Sequence, residues 1–148
     1  MACNCGRKSA AQKYNLTTQA LTTTAAPLNM GASAGLPTGP SIVDRGNNLG
    51  VGKTGLYRIT AQMVVAVTTA GTINLQACYD GSPIAASIKS VPATVGTTEL
   101  TLDTLVYLVG PDSCGCCGVT LPVDINAWVS DSAVASVTDL AVNLLREA

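Results

Sequence analysis

The strongest constraint on this chain is an alternation of apolar and mostly polar side chains between residues 57 and 67. The apolar members that share one phase are Tyr57, Ile59, Ala61, Met63, Val65 and Val67. Successive side chains of a β-strand point to opposite faces of the sheet, so a period of two puts these six on one face. The run therefore predicts a long strand with one face buried in a core.

Other segments also have strand character, and turn residues separate them. They are Ile73–Tyr79, Ile84–Val91, Thr98–Val109 and Val119–Val129. The dipeptide Asp80-Gly81 after the first of them predicts a tight hairpin turn. The chain has no Phe and one Trp, and it is rich in Val and Thr, whose branched side chains suit a pleated, half-buried surface. Closely spaced strands without βαβ spacings predict an all-β sandwich or barrel.

The C-terminal stretch fits two kinds of secondary structure. Its apolar residues Val134, Val137, Ala141, Leu144 and Leu145 would line one face of a helix. Asp131 or Ser132 would then be the N-cap. The segment Leu140–Leu144 fits a strand equally well, and the strand-rich neighbourhood favours a strand.

Residues 1–40 differ in composition from the rest of the chain. A short head with basic residues at Arg7, Lys8 and Lys13 leads into residues 14–40, which are rich in Thr, Ala, Pro and Gly. Because bulky apolar side chains are few, we predict an extended N-terminal attachment arm or linker over 1–40, with an edge strand near Tyr14–Leu21. The sandwich itself is predicted over 41–148. An arm of this composition would become ordered only on binding its host surface.

Charge and hydropathy exclude several classes of partner. Eight basic and nine acidic residues give a formal net charge of −1, whereas a nucleic-acid binder normally carries a basic excess on one surface. We therefore predict no nucleic-acid partner. No apolar run approaches the length of a membrane span, and the N-terminal region lacks the apolar core of a secretory signal. We expect a protein made in a cytoplasm that stays there or leaves within an assembly.

The sequence predicts no enzymatic activity and no cofactor. It contains no His, which is the commonest general acid or base in catalysis. Gly52-Lys53-Thr54 matches the end of a phosphate-binding P-loop, but the position that needs the first glycine is Asn47, and a strand rather than a helix is predicted to follow. Cys114 and Cys117 have redox C-x-x-C spacing without the helix N-terminus that lowers a thiol pKa in such motifs.

Five cysteines form two groups. Cys3 and Cys5 lie near the N-terminus, and Cys114, Cys116 and Cys117 lie in a glycine-rich loop between strands. Together they would supply enough thiolates for zinc, although the spacing within each group is too short for zinc-finger types. Free thiols and disulfides are the favoured states, and we expect no metal. The sixth cysteine, Cys78, is predicted to be a small strand residue.

The segment Gly55-Leu56-Tyr57-Arg58-Ile59-Thr60 follows a Gly-rich turn. It resembles the G-x-Y-x-apolar strand of the tumour-necrosis-factor and complement-globular-head jelly rolls. The order of the next elements is also similar, with a strand and hairpin over Ile73–Gly81 and a last strand over Leu140–Leu145. The resemblance implies a jelly-roll-like antiparallel sandwich that trimerises through one apolar face, and it implies no catalytic chemistry.

Similar domains occur in phage head fibres, in capsid-decoration proteins and in bacterial spore-surface proteins. No Gly-X-Y collagen tract precedes the domain here, which favours the phage group. We therefore predict a structural virion component: a homotrimeric head-fibre or capsid-decoration protein on the virion surface, made in the host cytoplasm and attached to the capsid through residues 1–40. The alternatives are a surface module that binds a glycan or host protein through loops such as Val109–Gly118, and a spore-surface protein.

Overall fold

The computed structural model describes residues 9–35, 37–39, 41–111 and 119–148. Within them the chain forms strands and one short 3-10 helix, Ala85–Ser87. In chain order the strands are β1 (Ala10–Asn15), β2 (Gln19–Ala20), β3 (Ala26–Pro27), β4 (Ala32–Ser33), β5 (Ile42–Asp44), β6 (Leu49–Val51), β7 (Gly55–Thr69), β8 (Gly71–Tyr79), β9 (Ser82–Pro83), β10 (Lys89–Ala93), β11 (Gly96–Leu108), β12 (Leu121–Ser130) and β13 (Val134–Arg146).

The strands form two antiparallel sheets packed face to face, which confirms the predicted all-β sandwich. Sheet I has the order β11-β7-β13-β1-β4, with β2 also paired to β13. Sheet II has the order β10-β8-β12-β6-β5, with β3 paired to β12 and β9 paired to β8. Strands that are distant in sequence are neighbours in both sheets, as in a jelly roll.

Strand β7 is the strand predicted by the opening alternation. All six apolar residues of one phase, from Tyr57 to Val67, are buried. Along its length β7 pairs with β11 on one side and β13 on the other. Tyr57 is the largest fully buried side chain, and its hydroxyl donates a hydrogen bond of 2.6 Å to the Lys53 carbonyl. The rest of the core is mostly aliphatic.

The Asp80-Gly81 turn also forms as predicted. The two residues have φ values of 50° and 78°, the left-handed pair that a two-residue type I′ hairpin requires. The register pairs Tyr79 with Ser82 across the turn. The prediction of a continuous strand from 84 to 91 is wrong. The 3-10 helix interrupts it, and the Ser87 side chain turns inward, accepting a 3.0 Å hydrogen bond from the Ala77 N–H.

The C-terminal stretch is a strand, and an irregularity in its pairing explains the helix-like spacing of its sequence. The register of β13 against β7 shifts between Val137 and Asp139. This β-bulge places one extra residue in the strand, so the buried positions Val137 and Leu140 are three residues apart. Asp131 and Ser132, considered above as helix N-caps, have φ values of 57° and 65° and form the turn before β13.

The described part of the predicted arm lies within the sandwich. Strand β1 sits between β13 and β4, with Ala10 opposite Leu145 and Asn15 opposite Leu140. Leu28 and Met30 fill core positions despite the polar composition around them. The structure therefore differs from the predicted boundary at residue 41, because β1 covers an edge of β13 that would otherwise be left unpaired.

A buried lysine joins the two sheets where β1 meets β5. Lys13 is 1% exposed, and its ammonium donates to the Asp44 carboxylate and to the Gly46 carbonyl, each at 2.5 Å. Asp44 also accepts from the Ser33 hydroxyl and from the Gly46 N–H. The hydrogen bonds from Lys13 and Ser33 lower the pKa of Asp44 to about 2. The ammonium is thus paired in a place where an unpaired charge would be costly.

We expect the two halves of this ion pair to respond unequally to mutation. Asp44→Ala leaves a buried ammonium without its counter-ion and should lower the free energy of unfolding by about 3–5 kcal/mol. Lys13→Met replaces the ammonium with an apolar chain and leaves a carboxylate that reaches water, so the loss should be about 1 kcal/mol. Urea denaturation of both variants measures this difference. Equal losses would contradict a buried and paired Lys13.

The same ion pair predicts an acid-sensitive component of stability. Because the folded-state pKa of Asp44 lies below its ordinary value of 3.8, its contribution is complete above about pH 4 and is lost as the pH falls toward 2. The stability difference between the wild-type chain and Asp44→Asn should shrink by about 1–2 kcal/mol across that range. Denaturation of both chains at successive pH values measures it. A constant difference would show that Asp44 is not preferentially ionised in the fold.

Candidate assembly surface

The outer face of sheet I carries exposed apolar side chains at one end. Tyr107 on β11 lies opposite Leu56 on β7, and the next row brings Leu105 and Leu145 to either side of Arg58. Tyr107 is 64% exposed, Leu105 49% and Leu145 40%. We call Leu56, Leu105, Tyr107 and Leu145 the apolar patch. Contiguous apolar side chains on a sheet face are typical of contacts with another protein.

Arg58 lies within this patch and is paired on both sides. Its guanidinium is 3.2 Å from the Asp103 carboxylate and 3.3 Å from the Glu147 carboxylate. The hydrogen bond to Glu147, together with the charge of Asp103, raises the pKa of Arg58. These pairs are open to solvent and contribute little to the stability of a single chain. They do balance the one positive charge within the patch.

The same face also carries two shallow grooves. One groove of about 360 Å³ is lined by residues that include Tyr14, Gln62, Glu99 and Asp139. A second, of about 390 Å³, adjoins the apolar patch at Leu145 and is otherwise lined by small and neutral residues, among them Gln12, Thr60 and Asn143. Small-molecule sites are usually enclosed and bury most of their ligand. The broad outer face is better suited to another protein surface.

The sequence analysis did not identify the apolar patch, although it contains a signal. Residues 105–109 are Leu-Val-Tyr-Leu-Val, apolar in both phases of β11. Val106 and Leu108 point inward, while Leu105 and Tyr107 are exposed. An edge strand that is apolar on both faces exposes one of them unless something else covers it.

The five cysteines proposed as metal candidates, Cys3, Cys5, Cys114, Cys116 and Cys117, all lie outside the described residues. The remaining cysteine, Cys78, is buried, and burial followed by the charge of Asp124 raises the pKa of its thiol. A buried thiol with a raised pKa is a poor nucleophile. In the part of the chain that the structure describes, no three Cys, Asp or Glu side chains are grouped closely enough to bind a metal.

The P-loop-like sequence Gly52-Lys53-Thr54 leads into a strand. Lys53 is buried and Thr54 accepts a 3.0 Å hydrogen bond from the Gly110 N–H, after which strand β7 begins. No helix follows to direct its N-terminus at a phosphate, as a P-loop requires.

The candidate ligand loop 109–118 is described only at Val109, Gly110 and Pro111. None of the described helices is long and apolar enough to cross a membrane.

Both described termini lie at the same end of the sandwich as the apolar patch. The Arg146 N–H donates to the Ser9 carbonyl at 2.8 Å, and the Leu56 N–H donates to the Ala148 carbonyl at 2.9 Å. We call this the terminal end. The turns after β7, β10 and β12 lie at the opposite end, because those strands run away from Gly55, Lys89 and Leu121.

Comparison with known proteins identifies the fold. No protein-family model matches the chain, and no curated protein matches it. Vertex protein P5 of PRD1 aligns with a TM-score of 0.65 at 15% identity, over 93% of this chain and 96% of that one. Eiger TNF from S. frugiperda gives 0.61 at 10% identity, over 95% and 92% of the two chains. Murine APRIL gives 0.56 at 10% identity, over 95% and 99%.

Structural similarity at such low sequence identity establishes the fold and leaves the function open. The likeness extends over nearly the whole chain, including the N-terminal strands that the sequence assigned to an arm. The resemblance noted at Gly55–Thr60 is thereby confirmed, since that motif begins the central strand β7. The chain has the jelly-roll fold of tumour-necrosis-factor-type domains.

Proposed function

We propose that this chain is a non-enzymatic structural component of a bacteriophage particle, assembled as a homotrimer through the outer face of sheet I. The main support for the proposal is the apolar patch, which lies around Arg58 at one end of that face. A fold shared with vertex protein P5 of PRD1 supports a role on a virus particle. Within that role, we propose a head fibre or a capsid-decoration protein, because the chain is a small sandwich with an exposed apolar surface available for assembly.

The composition of the core supports association. Buried Tyr57 is the only fully buried aromatic side chain among the described residues, and most other core positions are aliphatic. A sandwich of this size with small core side chains gains limited stability from its own burial. Burying Leu105, Tyr107 and Leu145 against another copy would add apolar burial that one chain lacks. A closed ring of three copies would also prevent open-ended association through the patch.

The position of the termini supports attachment through the N-terminal segment. Ser9, which the residues of the N-terminal head precede in sequence, lies at the terminal end, where its carbonyl accepts from the Arg146 N–H. The opposite end, with the turns at Ala70, Thr94-Val95 and Asp131-Ser132, would then project from the particle. The basic residues Arg7 and Lys8 precede the first strand and would suit an acidic patch on the shell.

The assembly surface can be tested with a double substitution, Leu105→Asp with Tyr107→Asp. Both side chains are exposed in the single chain, so folding should be retained, whereas burial of two carboxylates between copies should weaken the trimer at least a hundredfold, by roughly 3 kcal/mol or more. Light scattering coupled to size exclusion measures the oligomeric state, and circular dichroism measures folding.

Ile88→Asp is the matched control for this experiment. Ile88 is 56% exposed and follows the 3-10 helix between β9 and β10, which are both strands of sheet II. The Ile88 variant should remain trimeric. A wild-type chain that is monomeric at micromolar concentration, or a double variant that stays trimeric, would refute the proposed surface.

Attachment can be tested by two deletions that end on either side of the first strands. Removing residues 1–8 should preserve the fold, since β1 begins at Ala10, and should abolish binding to particles that lack the chain. Removing residues 1–40 should prevent folding, because it deletes Lys13 and four strands. Thermal melts and co-sedimentation with particles give the two readouts. If the chain without residues 1–8 still sediments with particles, attachment lies elsewhere.

A further inference from the structure

A shallow polar depression lies on the opposite side of the sandwich from the proposed assembly surface. It opens beside β12, at the place where that strand passes from pairing with β6 to pairing with β3. Its volume is about 280 Å³, and its lining contains no basic residue. The residues around it are Pro27, Leu28, Asn29, Asn47, Asn48 and Asp124.

The side chains of the depression are held in place but retain hydrogen-bonding capacity. The Asn48 amide donates to one Asp124 oxygen at 3.0 Å. The Asn29 side-chain oxygen accepts from the Gly31 N–H at 2.8 Å, and its backbone N–H donates to Gln19 at 2.7 Å. In the described part of the chain, no protein group bonds to the second Asp124 oxygen, to the Asn29 side-chain NH₂ or to the Asn47 amide. Hydrogen-bond donors and acceptors of these side chains therefore lie close together and remain available to solvent or a ligand.

The row of polar groups continues along β12 to the single tryptophan. Asp124, Asn126 and Trp128 alternate with buried residues and therefore share the outer face of sheet II. Successive members of such a row are about 7 Å apart. Trp128 is partly exposed, and among the described residues neither its indole N–H nor the Asn126 amide has a hydrogen-bond partner. The exposed part of an indole ring provides apolar surface next to these polar groups.

We propose that the depression and the adjoining Asn126 and Trp128 bind a neutral oligosaccharide. Amide and carboxylate groups provide the mixed donors and acceptors that neighbouring sugar hydroxyls require, and the C–H face of a pyranose ring packs on an aromatic ring. An anionic ligand would meet the uncompensated Asp124 carboxylate. A calcium ion would need six or more oxygen ligands, and the site offers one carboxylate. The site does not depend on the proposed trimer, since it lies on the other sheet.

Because Trp128 is the only tryptophan in the chain, its fluorescence reports directly on this surface. The purified full-length protein is titrated with maltotriose, cellotriose and tri-N-acetylchitotriose, and is also applied to an array of bacterial surface oligosaccharides. Saturable binding of at least one neutral probe is expected, with a dissociation constant on the order of 1 mM or below. Because the ligand is uncharged, raising the salt concentration should leave the affinity unchanged.

Substitutions in the site distinguish it from other surfaces. Asn47→Ala and Asp124→Ala should each weaken binding at least tenfold, measured by calorimetry as well as fluorescence. Asn47 is exposed, and its side chain has no bond to the described residues, so its variant should fold normally. Thr97→Ala, an exposed polar change on sheet I, should bind as the wild type does. Absence of binding across the probes and the array, or binding that persists in the Asn47→Ala, Asp124→Ala double variant, would overturn the proposal.

Discussion

Closure of the sandwich depends on the ion pair between Lys13 on β1 and Asp44 on β5. The core between the two sheets is mostly aliphatic, and aliphatic side chains pack well but do not select one relative position of the strand edges. At the edge where β1 and β5 approach, the Lys13 ammonium is enclosed and its partners are fixed by the Ser33 hydroxyl and the turn at Gly46. A displaced β1 would leave a buried charge unpaired, so this pair specifies how the N-terminal strands join the sandwich.

The same pair explains why the sequence analysis predicted the central strands but not the position of the N-terminal region. Period-two patterning identified β7 and the Asp80-Gly81 turn, because each depends on local side-chain alternation or local backbone conformation. Strand β1 has small and polar residues, and its burial results from pairing with β13, more than 120 residues later in the chain. Nothing in the polar sequence around Lys13 indicates that its ammonium will pair with the carboxylate of Asp44, 31 residues later.

Long-range contacts also explain the bulge in β13 and the 3-10 helix, two features that the sequence patterns did not predict. The bulge in β13 forms against β7, and by inserting one residue it converts a strand's alternation into a spacing that a helix shares. The 3-10 helix at Ala85–Ser87 depends on Ser87 reaching the Ala77 backbone on β8. Neither contact is visible in a window of ten residues. The apolar patch, by contrast, could have been predicted from residues 105–109, because an edge strand apolar in both phases needs a second covering surface.

The two outer faces differ in a way that separates assembly from recognition. On sheet I the exposed groups at the terminal end are apolar, with Arg58 neutralised by Asp103 and Glu147, so burial there removes little uncompensated charge. On sheet II the outward residues of β12 include Asp124, Asn126 and Ser130, and several amides near them lack protein partners among the described residues. Burying that face against another protein would require a partner for each of these groups, at a cost for any left unpaired. Solvent or a hydroxyl-rich ligand satisfies them without that cost. A trimer formed through sheet I would therefore leave the β12 surface of every copy open to solvent.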